Sequence, residues 1–314
     1  MIEVSVIVCS HNPKIEIFSR TIDHLKNQDL STDRWELILI DNLSDSPLDN
    51  HTNLSWHRNS KIVVEQTLGL SFARLRGVKE AKADLIIFVD DDNLLNYDYI
   101  SHALNFHKKY PYVGCFGGKA IPEFATPPPA WFFKTGISLG CRDLGDTLQI
   151  SNYKANNFKI SEYPAFAPIG TGMVITKPAF LAYVAEAEID MTRLNLGRRG
   201  KALTSGEDND IVLTVTKKGY EIAYVPALII LHIIPSSRYS KSYLQRMAFE
   251  SNRSWVKVLF IHNILPWKPI SSTTLPLRRA KAFWHLRAWS SSLNYTRWKA
   301  ACGKLTGLSE LNKL

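Results

Sequence analysis

Leu85-Ile86-Ile87-Phe88-Val89-Asp90-Asp91-Asp92 sets an unbroken apolar run directly against three acids. A strand with one wet face would alternate, so the run predicts a strand covered on both faces. The acids then stand just beyond its carboxyl end. Two earlier runs behave alike. Residues 4–9 lead into Ser10-His11-Asn12-Pro13, and residues 35–40 lead into Asp41-Asn42. Between them, residues 15–27 carry Ile15, Phe18, Ile22 and Leu25 near helical spacing, and residues 71–83 form another periodic segment. Alternating buried strands and helices predict an α/β chain with a mostly parallel sheet. Ligands of such sheets bind beyond the carboxyl ends of the strands. Ser10, Asn12, Asp41, Asp90, Asp91 and Asp92 all fall there.

The second half is mixed. Residues 113–121, 169–176, 220–224 and 227–233 read as strands. Pro127-Pro128-Pro129-Ala130-Trp131 opens a long loop region, and residues 209–218 read as a helix closed by Gly219. Of 314 residues, 45% are hydrophobic and 21% charged, an ordinary globular balance. The net charge of +9 is unevenly spread. From Pro235 onward there are 14 Lys/Arg against Glu250 and Glu310, hence +12, which leaves −3 for residues 1–234. The expected division is a catalytic domain over 1–234, with halves near 1–120 and 121–234, and a helical basic extension over 235–314. Cys9, Cys115, Cys141 and Cys302 form no C-x-x-C pair, so reduced thiols are expected. The start lacks a signal-peptide pattern, and no apolar stretch is long enough to span a bilayer. A cytoplasmic location follows as the expectation.

Three adjacent carboxylates repel one another, and no Lys or Arg lies within five residues of them. Something positive must offset that charge. A divalent cation shared with substrate phosphates would do so and would stabilise a diphosphate leaving group. A solvated turn of acids is the competing reading. Gly206-Glu207-Asp208 opens a helix. There a carboxylate can act as general base, or Ser205-x-x-Asp208 can simply be a capping box. His232 ends an apolar strand, where it is either a core residue or a ligand for a borderline metal.

In order and spacing these segments resemble family 2 glycosyltransferases, from about residue 4 to about residue 254. The resemblance includes the polar turn at Cys9-Ser10-His11-Asn12-Pro13 and the loop at Asp41-Asn42. It continues through Gly69-Leu70-Ser71-Phe72-Ala73-Arg74, where Leu75-Arg76 departs from the family's usual Asn. Asp90-Asp91-Asp92 matches the D-x-D motif, and Glu207-Asp208 the Glu-Asp motif. Gly170-Thr171-Gly172-Met173, Leu196-Gly197-Arg198-Arg199-Gly200 and the His232-to-Arg238 segment are similar to bacterial polysaccharide-biosynthesis members. The resemblance implies a GT-A fold, Rossmann-like with a mostly parallel central sheet, and inverting sugar transfer from a nucleotide diphosphate, a UDP-sugar being favoured. It implies Asp208 as base with Glu207 beside it, and Asp92 as the Mg²⁺ or Mn²⁺ ligand, with His232. It implies Ser10, Asn12, Asp41, Arg74, Asp90 and Asp91 around the nucleotide, although for Arg74 a helix-surface ion pair competes. Trp131, Gly172 and Arg198 would face the acceptor. For Trp131 the competing role is a loop anchor, and for Arg198 a solvated turn.

Five of eight tryptophans follow Pro235. Aromatic and basic side chains together suit an anionic membrane interface, so peripheral contact with the inner face of the cell membrane and a glycan or lipid-linked acceptor are expected. A docked helical subdomain and RNA binding are the competing readings of this tail; no nucleic-acid partner is expected. Two other functions compete for the chain as a whole. A sugar-nucleotide nucleotidyltransferase would need a Gly-rich basic loop where Ser10-His11-Asn12-Pro13 stands. A non-catalytic sugar-nucleotide-binding protein would not need intact Asp90-x-Asp92 and Glu207-Asp208.

Overall fold

The computed structural model describes residues 1–200 and 202–313. Contacts group them into two compact units. The first takes residues 1–123, 140–195 and 207–233; the second takes 124–139, 196–206 and 234–314. The expected division is a single linear one near 234. Two internal segments, 124–139 and 196–206, group with the C-terminal residues as well.

The first unit is an α/β layer structure. Its elements are β1 (Val4–Ser10), α1 (Ile15–Lys26), β2 (Trp35–Asp41), β3 (Ser60–Val64), α2 (Leu70–Glu80), β4 (Leu85–Asp90), β5 (Asn93–Leu95) and α3 (Tyr99–Lys109), followed by β6 (Val113–Phe124), β7 (Gln149–Ile150), β8 (Val174–Thr176), α4 (Lys177–Ile189), α5 (Met191–Leu194), α6 (Glu207–Lys217) and β9 (Glu221–Ile234). The sheet order is β3-β2-β1-β4-β8-β6-β9-β5, with β7 on β9. The stretch β3-β2-β1-β4 is parallel throughout. Beyond β4, β8 runs antiparallel to both β4 and β6. The α/β class with a parallel central sheet is as the sequence predicts.

Alternation along β1 sorts its side chains onto two faces. Val4, Val6 and Val8 join Phe18, Ile22 and Leu25 of α1 and Tyr99, Ile100 and Ala103 of α3 in one apolar cluster. Ile7 and Cys9 face the other cluster, with Ala73 and Val78 of α2, Phe180 and Tyr183 of α4, and Ile211 and Val215 of α6. Burial on both faces explains why these strands read as unbroken apolar runs.

Two strand expectations are corrected. The strand expected over 169–176 is confined to Val174–Thr176, because Gly172 turns the chain at φ +68°. The two strands expected over 220–224 and 227–233 are one strand, β9. Pro226 between them loses a donor, yet its fixed φ suits extended backbone.

The second unit contains α7 (Lys241–Ile261), α8 (Leu275–His285) and α9 (Ser292–Glu310). Helices α7 and α9 touch backbone to backbone. A Cβ at Gly303 would sit 2.0 Å from the Phe249 carbonyl oxygen, so only glycine admits that approach. Arg253 and Glu310 pair across the same contact at 2.6 Å. The expected helical, basic extension is present. Among the described residues no helix is long and apolar enough to cross a membrane.

Candidate active site

Parallel register brings the acidic strand ends together. Ser10 stands beside Asp41 and Cys9 beside Asp90, along the carboxyl edge of β2, β1 and β4. Ser10 Oγ donates to Asp91 Oδ2 at 2.5 Å, and the Asp91 carbonyl accepts from Thr21 Oγ1 at 3.0 Å. The turn joining β4 to β5 is therefore tied to both β1 and α1.

Asn12 and Asp41 organise loops. Asn12 takes φ +51°, a left-handed conformation that Asn tolerates, and its Oδ1 accepts from Asp45 N at 2.7 Å. Asp41 accepts from Ser44 N and Leu48 N at 2.9 and 3.1 Å. Asn42, named in the sequence only as part of the Asp41-Asn42 loop, accepts from Gly69 N at 2.7 Å and donates to the Thr67 carbonyl at 2.7 Å. It fixes the approach to α2, and hence the placement of Arg74.

Arg74 is 3% exposed, so it is no helix-surface residue. Its guanidinium lies 3.4 Å from Glu207 Oε2 and 3.8 Å from Asp90 Oδ1. It also donates to the Gly170 carbonyl at 3.4 Å and stands 5.1 Å over the Phe88 ring. Burial alone would lower its pKa, but Glu207 and Asp90 outweigh this and raise it. Glu207 is itself buried, and burial pushes its carboxyl above the usual range against the pull of Arg74. Arg74, and more weakly the Ser71 hydroxyl, favour its ionised form, and the ion pair is its main compensation. Asp90 of the D-x-D segment and Glu207 of the Glu-Asp pair are thus joined through one cation.

Asp208 accepts from Gly170 N and Asn209 N, both at 3.0 Å. This corrects the capping-box reading. Helix α6 starts at Glu207, too late for Ser205 to be its cap, and the Ser205 N–H donates instead to Ser254 Oγ at 3.4 Å. The Asp208 carboxylate sits in the first turn, where the helix dipole favours an anion.

Asp92 is buried with His232 Nε2 at 3.3 Å from its Oδ1. Asn93 pairs with His232 across β5 and β9, donates to Asp92 Oδ1 at 3.1 Å and accepts from Asp90 N at 3.2 Å. Its side chain therefore fixes the turn holding all three aspartates. Cys141 Sγ lies 3.6 Å from His232 Nδ1. Burial lowers the His232 pKa, but hydrogen bonds and charges from Asp92 and Cys141 outweigh it and raise the pKa to about 9. The aspartates are therefore offset by Arg74 and His232 from distant parts of the chain, and a bound cation is not the sole way to balance them.

Asp92, and His232 once its ring gives up the proton that pairs with Asp92, are the donors that could hold Mg²⁺ or Mn²⁺. Among the described residues no group of three or more His, Cys, Asp or Glu could hold a metal. Gly172 follows this site for steric reasons as well. Its Cβ would meet Ile230 at 2.0 Å, and its carbonyl accepts from Tyr99 Oη at 2.6 Å. Trp131 and Arg198 belong to the second unit. Trp131 is half-buried just ahead of the short helix Phe132–Lys134, and Arg198 is half-buried beside the Arg199–Ala202 bridge.

The Glycosyl transferase family 2 model matches residues 5–175, more than half the chain. The poly(ribitol-phosphate) beta-glucosyltransferase of Bacillus spizizenii is 24% identical over 230 residues, covering 71% of this chain and 34% of its own length. The chain thus spans about a third of that relative. In solved structures, residues 1–349 of S. aureus TarS in complex with UDP-GlcNAc align with TM-score 0.51 at 14% identity, covering 99% of this chain and 92% of that one. GalNAc-T7 with UDP, GalNAc and Mn²⁺ aligns with TM-score 0.57 at 16% identity, covering 99% of this chain and 56% of that one. These likenesses, at such identities, speak to the fold. The family model, the parallel sheet and the clustered strand-end acids agree: the chain belongs to glycosyl transferase family 2.

Proposed function

We propose that this glycosyltransferase is inverting and divalent-metal-dependent, and moves one sugar from a UDP-sugar to a hydroxyl of a cell-surface glycan or lipid-linked acceptor. Residues 1–234 form its catalytic domain on this reading. The single observation that carries the proposal is Arg74, which ties Asp90 of the D-x-D segment to Glu207 of the Glu-Asp pair. An acidic turn at a strand end and an acidic helix start are each common. Their joining through one buried guanidinium is expected of a single site.

Asp41, with Ser10 and Asn12, shapes the loops around the nucleotide, and Asp90 and Asp91 face the ribose and diphosphate. Asp92 and His232 would hold Mg²⁺ or Mn²⁺, which supplies positive charge to the departing diphosphate. Asp208 takes the proton from the acceptor hydroxyl as its oxygen attacks the sugar's anomeric carbon. Buried Glu207, held by Arg74, positions the neighbouring Asp208. Gly172 serves the acceptor side. The UDP-sugar choice draws support from the aligned complexes, one with UDP-GlcNAc and one with UDP, GalNAc and Mn²⁺. The acceptor class draws support from the poly(ribitol-phosphate) relative. Work at the inner face of the cell membrane belongs to the same reading.

Asp92→Asn tests the metal assignment. An Asn oxygen can still accept from Asn93 and face His232, so the fold is expected to survive. A ligand that binds only the native state raises its thermal midpoint. The part of the UDP-sugar shift that requires Mn²⁺ should vanish, with donor affinity falling about tenfold or more. Unchanged Mn²⁺-dependent binding in the mutant would remove Asp92 from the metal site.

A further inference from the structure

Residues 251–309 contain ten Lys/Arg and no Asp or Glu. Composition alone spreads the tail's aromatic residues evenly over that basic stretch; the structure does not. Trp255, Trp267 and Trp298 are half-buried, whereas Trp284 is 68% and Trp289 55% exposed. Helix α8 explains the difference. Arg279, Ala282 and Phe283 lie on its inner side, where Arg279 donates to Thr306 Oγ1 at 2.6 Å and the Phe283 ring meets Trp298 at 5.2 Å. Leu277, Lys281 and Trp284 fall three and four residues apart, so they share the opposite side, flanked by Arg278 and His285. All five are exposed, Leu277 to 76%. Trp289 packs edge-on against Trp284 with ring centroids 4.8 Å apart, extending the apolar patch, and exposed Arg287 adds a further cation near it.

We propose that this face of α8, with Trp289, is a docking surface for an anionic lipid bilayer. The charge argument selects the occupant: a patch of Leu and Trp ringed by Arg278, Lys281 and Arg287, in a stretch without acids, complements a negatively charged apolar boundary. Tryptophan rings settle at headgroup depth, and Lys and Arg stems reach outward to lipid phosphate. An eleven-residue helix is about 16 Å long and lies along the surface rather than crossing it. The surface deepens the membrane location included in the proposed reading, but its binding to lipid does not depend on sugar transfer.

The test uses the full chain and vesicles of phosphatidylglycerol or of phosphatidylcholine alone. Sedimentation with the phosphatidylglycerol vesicles and a blue shift of tryptophan emission are expected, both weakened by added salt. Trp284→Ser with Trp289→Ser, and separately Arg278→Glu with Lys281→Glu, should each lower partitioning about tenfold or more. Arg279 faces inward, so Arg279→Glu is left out of the charge reversal. Donor binding by the variants serves as the folding control and should match that of the parent chain. The proposal is overturned if the parent chain ignores vesicles or binds both lipids equally. It is also overturned if the tryptophan pair instead governs self-association in lipid-free solution. Failure of the parent chain to bind any UDP-sugar would count against the proposed reaction and leave the vesicle result intact.

Discussion

Asp208→Asn is expected to lower sugar transfer about 10²- to 10⁴-fold, the usual worth of a general base. An amide keeps the shape but cannot take the acceptor's proton. The substitution also has a local structural cost. Gly170 N–H and Asn209 N–H each donate to one Asp208 oxygen, and an amide can accept from only one through its oxygen. The lost bond costs about 0.5–1.5 kcal/mol of stability. That is too little to unfold a domain of this size, and thermal unfolding measures it separately. Binding of the nucleotide-sugar with Mn²⁺ should persist, because Asp92 and His232 are untouched. Single-turnover transfer then isolates the chemical step. Near-normal turnover would reduce Asp208 to a brace between Gly170 and α6, and would move attention to Glu207.

Arg74→Met should produce the largest loss of stability. The methionine fills part of the side-chain volume but removes the positive charge between Asp90 and Glu207. Glu207 is 3% exposed, and Arg74 is the main group that favours its ionised form. Removing one member of a buried ion pair costs about 3–5 kcal/mol, because the other charge stays behind. Chemical denaturation should show that loss, and Glu207→Gln added to it should restore a substantial part. A double mutant no more stable than Arg74→Met would show that the two groups are not coupled. The same substitution in a nucleotide-contacting surface arginine would weaken donor binding with little change in stability. The experiment therefore separates the buried role seen in the structure from the nucleotide role that the resemblance implies.

The parallel part of the sheet was legible because burial on both faces leaves apolar runs such as residues 35–40 and 85–89. Helix α3 was missed although Asp98 precedes Tyr99, Ile100, Ala103 and Leu104 at helical spacing. Helix α4 is apolar nearly all round, which erases the helical period. At the site, acids at element ends announced themselves: Asp90 and Asp92 after β4, Glu207 and Asp208 at the start of α6. Their partners did not. Arg74 sits on a helix whose exposure cannot be read from spacing, and Cys141 meets His232 from 91 positions away. Asn93 looked like one more polar residue in a turn, whereas it fixes that turn with two hydrogen bonds. Charge balance was the physical clue in the sequence. It called for a positive partner but could not say whether a metal or a folded-in Arg and His would provide it.

The central claim is tested most directly by letting water serve as acceptor. UDP-linked α-sugars, Mn²⁺ and the full chain are followed by proton NMR from the first minutes, before the released sugar mutarotates. In-line displacement at the anomeric carbon predicts that UDP and the β-anomer appear together, and that a chelator stops both. The α-anomer appearing first, or release that continues unchanged in chelator, would contradict the account.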